Sequence, residues 1–402
     1  MMNKKIMKMA VMPFMILAAS SLMQSCIEEE FPTDYATGEQ MQTAKNPGKI
    51  LLNGLNAKMV EQFSYNGAQV AYDWGYPSQM LIRDILGGDE PVSNVTNDYL
   101  AWIADGTSLN VFSLYTYSYY YDLVSNANNM VEKFGSDDSD QKAYAGAARA
   151  YRALAYLDMS RMFEYKTTGF SSLDAQAEKS KVAGLTVPIV TEKTTAKESK
   201  NNPRAPFYTM YRFILNDLKL AESEMKGFER ANKTQPDESV VYGLEARLWL
   251  EMATRFEKNP EDLATQLAHE EDADGYAKLG VTTADECYAK AAEYAQKAMA
   301  LDGYAPLSSD EWHNEKTGFN LATGAWMWSA SMQDKDMLTY YWYSWLCWMG
   351  SEAPNLTWGG MGTYRCIDKS LYEKMPDADW RKTTWVDPSD VNATAVPSKY
   401  KS

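Results

Sequence analysis

The sequence predicts a mainly α-helical protein of paired helices, joined to an irregular, loop-dominated subdomain that is rich in aromatic residues. Between residues 48 and 301, apolar residues recur at spacings of three and four, which is the period of amphipathic helices. Alanine and tyrosine lie on the apolar faces, as in tetratricopeptide-like pairs, where each pair buries its face on the next. After Gly303 glycine and proline become frequent, and nine of the 12 tryptophans lie in residues 312–385. We therefore expect an α-superhelix over 46–305 and an irregular region over 306–402.

Residues 1–25 are predicted to be a lipoprotein signal peptide. Three lysines precede an apolar run over residues 9–23 that ends in small residues, which is the pattern of an export signal. The run is short for a membrane span, which needs roughly 20 residues. Cys26 follows it and resembles a bacterial lipidation site, where several acyl chains would anchor the chain firmly. Residues 26–45 are predicted to be an acidic tether.

Six segments are predicted to be helices, and the strongest signal is the alanine-rich one at 140–165. Gly135 is expected to stop the preceding helix. Residues 71–110 and 166–184 are rich in turn-forming residues and are predicted to be irregular. A generic helical bundle is the alternative to repeats. The predicted helices cover residues 48–64, 111–134, 140–165, 206–226, 238–256 and 284–301.

The charge balance argues against two classes of partner. The chain has 39 basic and 54 acidic residues, a net charge of −15. Nucleic-acid binding depends on lysine and arginine that neutralise phosphate, so no nucleic acid is expected. The excess of acid argues equally against a basic patch that binds a membrane surface.

The residue types that bind metals or act as nucleophile–base pairs are few. His269 and His313 are the two histidines, and both lie in polar surroundings, so neither a histidine-rich metal site nor a Ser-His-Asp triad is expected. The SDDSD stretch at 136–140 misses the spacing of an EF-hand loop. Beyond Cys26 there are three cysteines, which can form at most one disulfide. No metal and no cofactor are expected. These cysteines are Cys287, Cys347 and Cys366.

Two loop-rich regions, 73–102 and 326–364, combine aromatic and polar residues in the way that a sugar-binding site requires. An exposed tryptophan or tyrosine stacks on the apolar face of a sugar ring, while Asp and Arg bond its hydroxyls. For any single tryptophan, core packing is the common alternative. In particular, Trp342, Trp345 and Trp348 have the spacing of one buried helical stripe. The candidate glycan-binding residues are Asp73, Trp74, Tyr76, Arg83, Asp84, Trp102, Trp326, Tyr340, Trp342, Trp345, Trp348 and Trp358.

A set of segments in a fixed order resembles a known family. The acid-flanked Cys26 comes first, and the later segments extend the resemblance over most of 26–385. Together they resemble the SusD/RagB family of Bacteroidetes surface glycan-binding lipoproteins. The segments are RAYRALAYLDMSRMF (149–163), VPIVTEKT (187–194), YRFILNDLKLAESEM (211–225), EARLWLEMA (245–253), AAEYAQKAMALDGYAPL (291–307) and LYEKMPDADWRKTTW (371–385).

The resemblance implies a function without catalysis. Family members capture oligosaccharide or polysaccharide at the cell surface, held to the outer membrane by a lipid anchor. They deliver it to a SusC-like TonB-dependent outer-membrane barrel. Three features depart from the family, and the first is an insert at 166–182 that separates the long helix from the VPIV segment. Trp380 stands where the family has a DPR-like proline, and the chain stops at Ser402, so C-terminal helices of the family are expected to be missing.

Other readings of the sequence remain open. A surface glycoside hydrolase needs two carboxylates roughly 5–10 Å apart, and the chain has many acidic residues. A helical-repeat scaffold would bind only protein. Some relatives capture peptides, so the resemblance itself leaves a peptide ligand open.

Overall fold

The structure is a computed structural model that describes residues 44–65, 68–89, 111–136, 141–314, 316, 324–331, 367–385 and 387. The structure describes only the backbone of residues 62–65, 68–74, 81, 85–86 and 111–112. The predicted signal peptide, Cys26 and most of the predicted tether lie outside the described residues. The chain divides into two compact units, Met1–Ile50 and Leu51–Ser402. Apart from the start of the first helix, all the described helices and strands belong to the second unit.

The described residues form twelve α-helices, one antiparallel hairpin and one 3-10 helix. In the hairpin, β1 (Gln62–Tyr65) pairs with β2 (Ala68–Trp74). The 3-10 helix is Trp380–Thr384. The α-helices are α1 (Pro47–Lys58), α2 (Tyr76–Gly87), α3 (Val111–Phe134), α4 (Lys142–Phe163), α5 (Ser171–Ser180), α6 (Ala196–Ser199), α7 (Phe207–Glu224), α8 (Glu238–Lys258), α9 (Pro260–Ala268), α10 (Ala284–Asp302), α11 (Ser309–Trp312) and α12 (Lys369–Lys374).

The long helices pack one on the next in chain order, which confirms the mainly α prediction. Helix α3 contacts α4, α4 contacts α7, α7 contacts α8, and α8 contacts α10. A single apolar core runs through these contacts, from Leu52 to Tyr294. Neighbour-to-neighbour packing of this kind is what tetratricopeptide-like pairs produce. In the described part of the chain, no helix combines the length and the apolar character needed to cross a membrane.

A buried ionic network joins α4 to α7. Arg152 makes two bonds to Asp217, each of 2.7 Å, and a third of 2.7 Å to Glu192. Arg149 lies 3.0 Å from Glu224 and 3.4 Å from Asp217. Buried charges of this kind must be paired and hydrogen-bonded, since an unpaired charge away from water is costly.

The extended segment 185–192 pairs through its backbone with Ala205 at Thr186 and Val187, and side chains hold the residues that follow. Tyr121 donates its hydroxyl to the Pro188 carbonyl at 2.6 Å, and the Asn128 amide donates to the Val190 carbonyl at 3.1 Å. The Tyr156 hydroxyl accepts from the Val190 N–H at 2.7 Å. The VPIVTE sequence is therefore attached to α3 and α4 through its carbonyls and amides, whose buried polar groups need such partners.

Gly146 allows the close approach of α4 and α7. A Cβ at this position would lie 2.5 Å from Met225 Cγ and 3.0 Å from Glu224 Cβ. We expect Gly146→Leu to lower the free energy of unfolding by about 1–3 kcal/mol, because the added side chain overpacks a filled interface. Gly54→Leu is the matched control, since nothing lies within 4 Å of a Cβ there. Urea denaturation of both variants checks this, and equal stabilities would contradict it.

Candidate functional site

The structure describes only part of the predicted glycan-binding set. Tyr76, Arg83 and Asp84 lie on α2, and Trp326 lies in the segment 324–331. Asp73 and Trp74 belong to β2, but their side chains are outside the description. The remaining candidates lie outside the described residues, and these are Trp102, Tyr340, Trp342, Trp345, Trp348 and Trp358.

A fully buried carboxylate on α4, that of Asp158, holds Arg83 of α2 and Arg247 of α8. One Asp158 oxygen lies 2.6 Å from Arg83 Nη1 and 3.1 Å from Arg247 Nη2. Tyr120 donates its hydroxyl to the other oxygen at 3.1 Å. Arg83 also donates to the Tyr76 hydroxyl at 3.3 Å, which ties both predicted residues to this cluster.

The electrostatics of the Asp158 cluster leave it with more positive than negative charge. Burial and then the charge of Asp158 raise the pKa of Tyr76, so the phenol stays neutral. Burial tends to lower the pKa of Arg83, but the charge of Asp158 together with the interactions of Tyr76 and Tyr120 outweighs it, and the pKa rises. The pKa of Arg247 is raised by the same balance. Two permanent cations therefore share one carboxylate.

Beside this cluster an open groove runs between α4 and α8, and we call it the α4–α8 groove. Its volume is about 320 Å³. Glu251 lines the groove, and its two carboxylate oxygens lie 3.2 Å from Arg161 Nε and 3.2 Å from Lys166 Nζ. Arg247 and Arg161 present 40% and 52% of their side chains to solvent. The lining residues are Leu157, Arg161, Arg247, Leu250, Glu251 and Thr254.

A second cavity, the Arg255 cleft, shares Glu251 and Thr254 with the α4–α8 groove and has a volume of about 470 Å³. Arg255 lines this cleft, and the guanidinium carbon of Arg255 lies 3.7 Å from the centre of the Phe207 ring. The same guanidinium lies 2.8 Å from Glu164 and 2.9 Å from Asp262. The guanidinium of Arg255 is thus paired within the protein.

The tryptophans of the segment 324–331 are attached to a different part of the chain. Trp328 donates its indole N–H to the Thr234 carbonyl at 3.0 Å, and its ring meets the Tyr151 ring edge-on at 4.8 Å. Trp326 is half-buried. Of the described candidates, Tyr76 and Arg83 lie at the Asp158 cluster, Asp84 is exposed on α2 and interacts with Arg83, and Trp326 lies in this segment.

Sequence reasoning missed the charged residues that line the groove. Asp158 and Arg161 were assigned to the apolar helix 140–165, and Arg247 to the helix 238–256, without a role. A usable signal was present, because Asp158 follows an almost unbroken apolar run in which a charge needs a partner. Among the described residues, no group of three or more His, Cys, Asp or Glu side chains is placed to hold a metal.

Comparisons with known proteins identify the fold. A SusD-like carbohydrate-binding protein from Bacteroides vulgatus superposes with a TM-score of 0.57 and 17% identity, over 84% of this chain and 60% of that one. A SusD superfamily protein from Bacteroides thetaiotaomicron (TM-score 0.41, 16% identity) covers 67% of this chain and 49% of its own. Surface glycan-binding protein A from Bacteroides fluxus (TM-score 0.44, 12% identity) covers 85% of this chain and 63% of its own.

The chain has the SusD-like fold, which confirms at the level of fold the resemblance that its sequence motifs indicate. The conclusion rests on the first match, since the other two have TM-scores below 0.5. The chain spans about 60% of the length of that solved protein. Neither a family model nor a curated protein matches the sequence.

Proposed function

We propose that this protein, which has the SusD-like fold, is a non-catalytic SusD/RagB lipoprotein that captures oligosaccharide or polysaccharide at the cell surface. Cys26 would hold it to the outer membrane by lipid. It would deliver the captured glycan to a SusC-like TonB-dependent barrel. The observation that carries the proposal is the fold shared, over 84% of this chain, with a protein described as SusD-like and carbohydrate-binding.

The geometry of the described residues supports a saccharide ligand. The α4–α8 groove is open and offers guanidinium and carboxylate groups, together with the half-exposed apolar side chain of Leu250. Sugar recognition needs such a mixture, because a ring has an apolar C–H face and a rim of hydroxyls. The aromatic candidates of 326–364 would supply further stacking surfaces.

Binding and product analysis on the same samples test the proposal. The purified protein is titrated by calorimetry and by affinity electrophoresis against plant, host and microbial polysaccharides, and each mixture is then assayed for new reducing ends. We expect at least one polysaccharide to bind and no reducing ends to appear. Alanine variants of Trp326 and Trp345 are expected to weaken binding in protein that stays folded.

Two results would contradict the proposal, and each favours a different alternative. New reducing ends would indicate a surface glycoside hydrolase that uses a carboxylate pair. The absence of binding by folded protein would favour a scaffold that binds only protein, or a relative that captures peptides.

A further inference from the structure

The charged groups around the α4–α8 groove are unequal in number. Arg83 and Arg247 share the carboxylate of Asp158. Arg161 and Lys166 share that of Glu251. Of the residues that line the groove, Arg161 and Arg247 are cations and Glu251 is the one carboxylate. In a chain of net charge −15, this is a local excess of positive charge at an open cavity.

We propose that the α4–α8 groove binds an acidic saccharide, through a carboxylate of the sugar held by Arg161 and Arg247. This inference rests on the proposed function and names its ligand class. Both guanidinium groups line the groove and are half-exposed, so they can meet a ligand. Guanidinium and carboxylate match in a planar, two-bond geometry, and such charge-assisted bonds are stronger than neutral ones.

The remaining lining favours a sugar over a bare anion. Leu250 is 49% exposed and lies at the groove beside the buried Leu157. The exposed side chain of Leu250 gives the groove an apolar surface on which the C–H face of a ring can rest. The volume of about 320 Å³ is near the lower end of the range for small-molecule sites, roughly 300–1,000 Å³. It suits a short saccharide segment.

The negative net charge of the whole chain does not prevent this binding. At physiological ionic strength, charges are screened over about 8 Å, so a ligand carboxylate responds chiefly to its immediate neighbours. In the groove those charged neighbours are Arg161, Arg247 and Glu251, and the carboxylate of Glu251 is already shared between Arg161 and Lys166. Affinity for an acidic saccharide should consequently fall as salt is added, because both arginines remain partly exposed.

The test compares two ligands with the same backbone. Oligogalacturonate carries a carboxylate on each unit, and its methyl ester has the same units without the charge. Calorimetry with the purified protein should give an affinity at least about tenfold higher for the acid, because only the acid forms charge-assisted bonds. Polyglutamate of similar charge is the third probe, and we expect it to bind more weakly than the sugar acid.

Three variants locate the effect in the groove. Arg161→Gln removes one exposed cation, and Leu250→Glu adds a negative charge at an exposed position, so both should leave the fold intact. Arg161→Gln should lower the affinity for oligogalacturonate at least about fivefold and change that for the ester little, whereas Leu250→Glu should weaken the binding of both ligands and that of the acid more. Arg381→Gln is the matched control, because Arg381 is exposed and paired with Asp379 away from the groove. It should bind like the unaltered protein.

The outcomes separate this inference from the proposed function. Equal affinity for acid and ester, or binding of neutral polysaccharides alone, overturns the acidic ligand and leaves glycan capture intact. An acid preference that persists in Arg161→Gln and Leu250→Glu overturns the assignment to this groove. Polyglutamate that binds as tightly as the sugar overturns saccharide recognition. If no polysaccharide binds to folded protein, the proposed function fails and this inference fails with it.

Discussion

Asp217→Ala is expected to lower the free energy of unfolding by about 3–5 kcal/mol, because it leaves buried arginines without their shared carboxylate. Asp217 is 1% exposed and receives two 2.7 Å bonds from Arg152. Arg149 lies 3.4 Å from the same carboxylate. Glu192 and Glu224 remain near the two guanidinium groups, so the loss should lie toward the lower end of this range.

Urea denaturation measures the effect. Asp122→Ala is the control, because it removes an exposed carboxylate from a helix of the same bundle and should change the unfolding free energy by less than about 0.5 kcal/mol. A loss below about 1 kcal/mol for Asp217→Ala would contradict the expectation. It would mean that the interior relaxes or admits water around Arg152.

Much of the helical framework could be predicted from the sequence, since these helices bury one apolar face. The helix predicted at 111–134 has those bounds in the structure, and the one predicted at 284–301 ends one residue later. Gly303, with a left-handed φ of 62°, ends that helix. Trp249, on the helix predicted at 238–256, is 2% exposed and lies in the core.

Several short elements were missed, and the prediction that 71–110 is irregular is wrong for helix α2 (Tyr76–Gly87), which lies within it. Helix α5 (Ser171–Ser180) lies in the insert predicted to be irregular, and Ala177 is its buried residue. The insert is ordered by Asp174, which accepts bonds from the N–H groups of Thr168 and Gly169. The first predicted helix runs to residue 64, whereas α1 ends at Lys58 and a hairpin begins at Gln62. No local pattern distinguishes such short strands from the end of a helix.

For the candidate site, the sequence predicts which types of residue are suited to bind sugar, but not where they lie in the fold. Tyr76 and Arg83 were selected for their sugar-binding chemistry, and the structure places both at Asp158. The groove beside them depends on Arg161 and Arg247, which come from helices far apart in sequence. Sequence periodicity predicts a helix face, but it does not predict which faces meet, so the groove became visible only in the fold.

A second large effect is expected from pH, through a carboxyl group buried between α7, α8 and α10. Glu245 is fully buried on α8, and one of its oxygens lies 3.0 Å from Lys219 of α7. Burial raises its pKa to about 7, and the attraction of Lys219 offsets only part of this. In the unfolded chain the pKa returns to about 4.5. Between these two values the folded protein holds a proton that the unfolded chain does not.

This extra proton on the folded protein means that the free energy of unfolding falls as the pH rises. The contribution of Glu245 to stability is fully present below about pH 4.5 and is lost as the pH rises through about 7, which amounts to about 3 kcal/mol. Glu245→Gln keeps the shape and is neutral at every pH. We therefore expect its unfolding free energy to rise relative to the unaltered protein by about 3 kcal/mol between pH 4.5 and 8, as measured by urea denaturation across this range.

Glu222→Gln is the control that distinguishes the effect of burial from that of the ion pair with Lys219. Glu222 also lies 3.1 Å from Lys219, but it is partly exposed. It should show no comparable rise. If the difference between Glu245→Gln and the unaltered protein stays flat with pH, Lys219 compensates fully for burial and the carboxylate is ionised throughout. If it rises as expected, desolvation outweighs the ion pair, and the interface of α7, α8 and α10 is tightest when Glu245 is neutral.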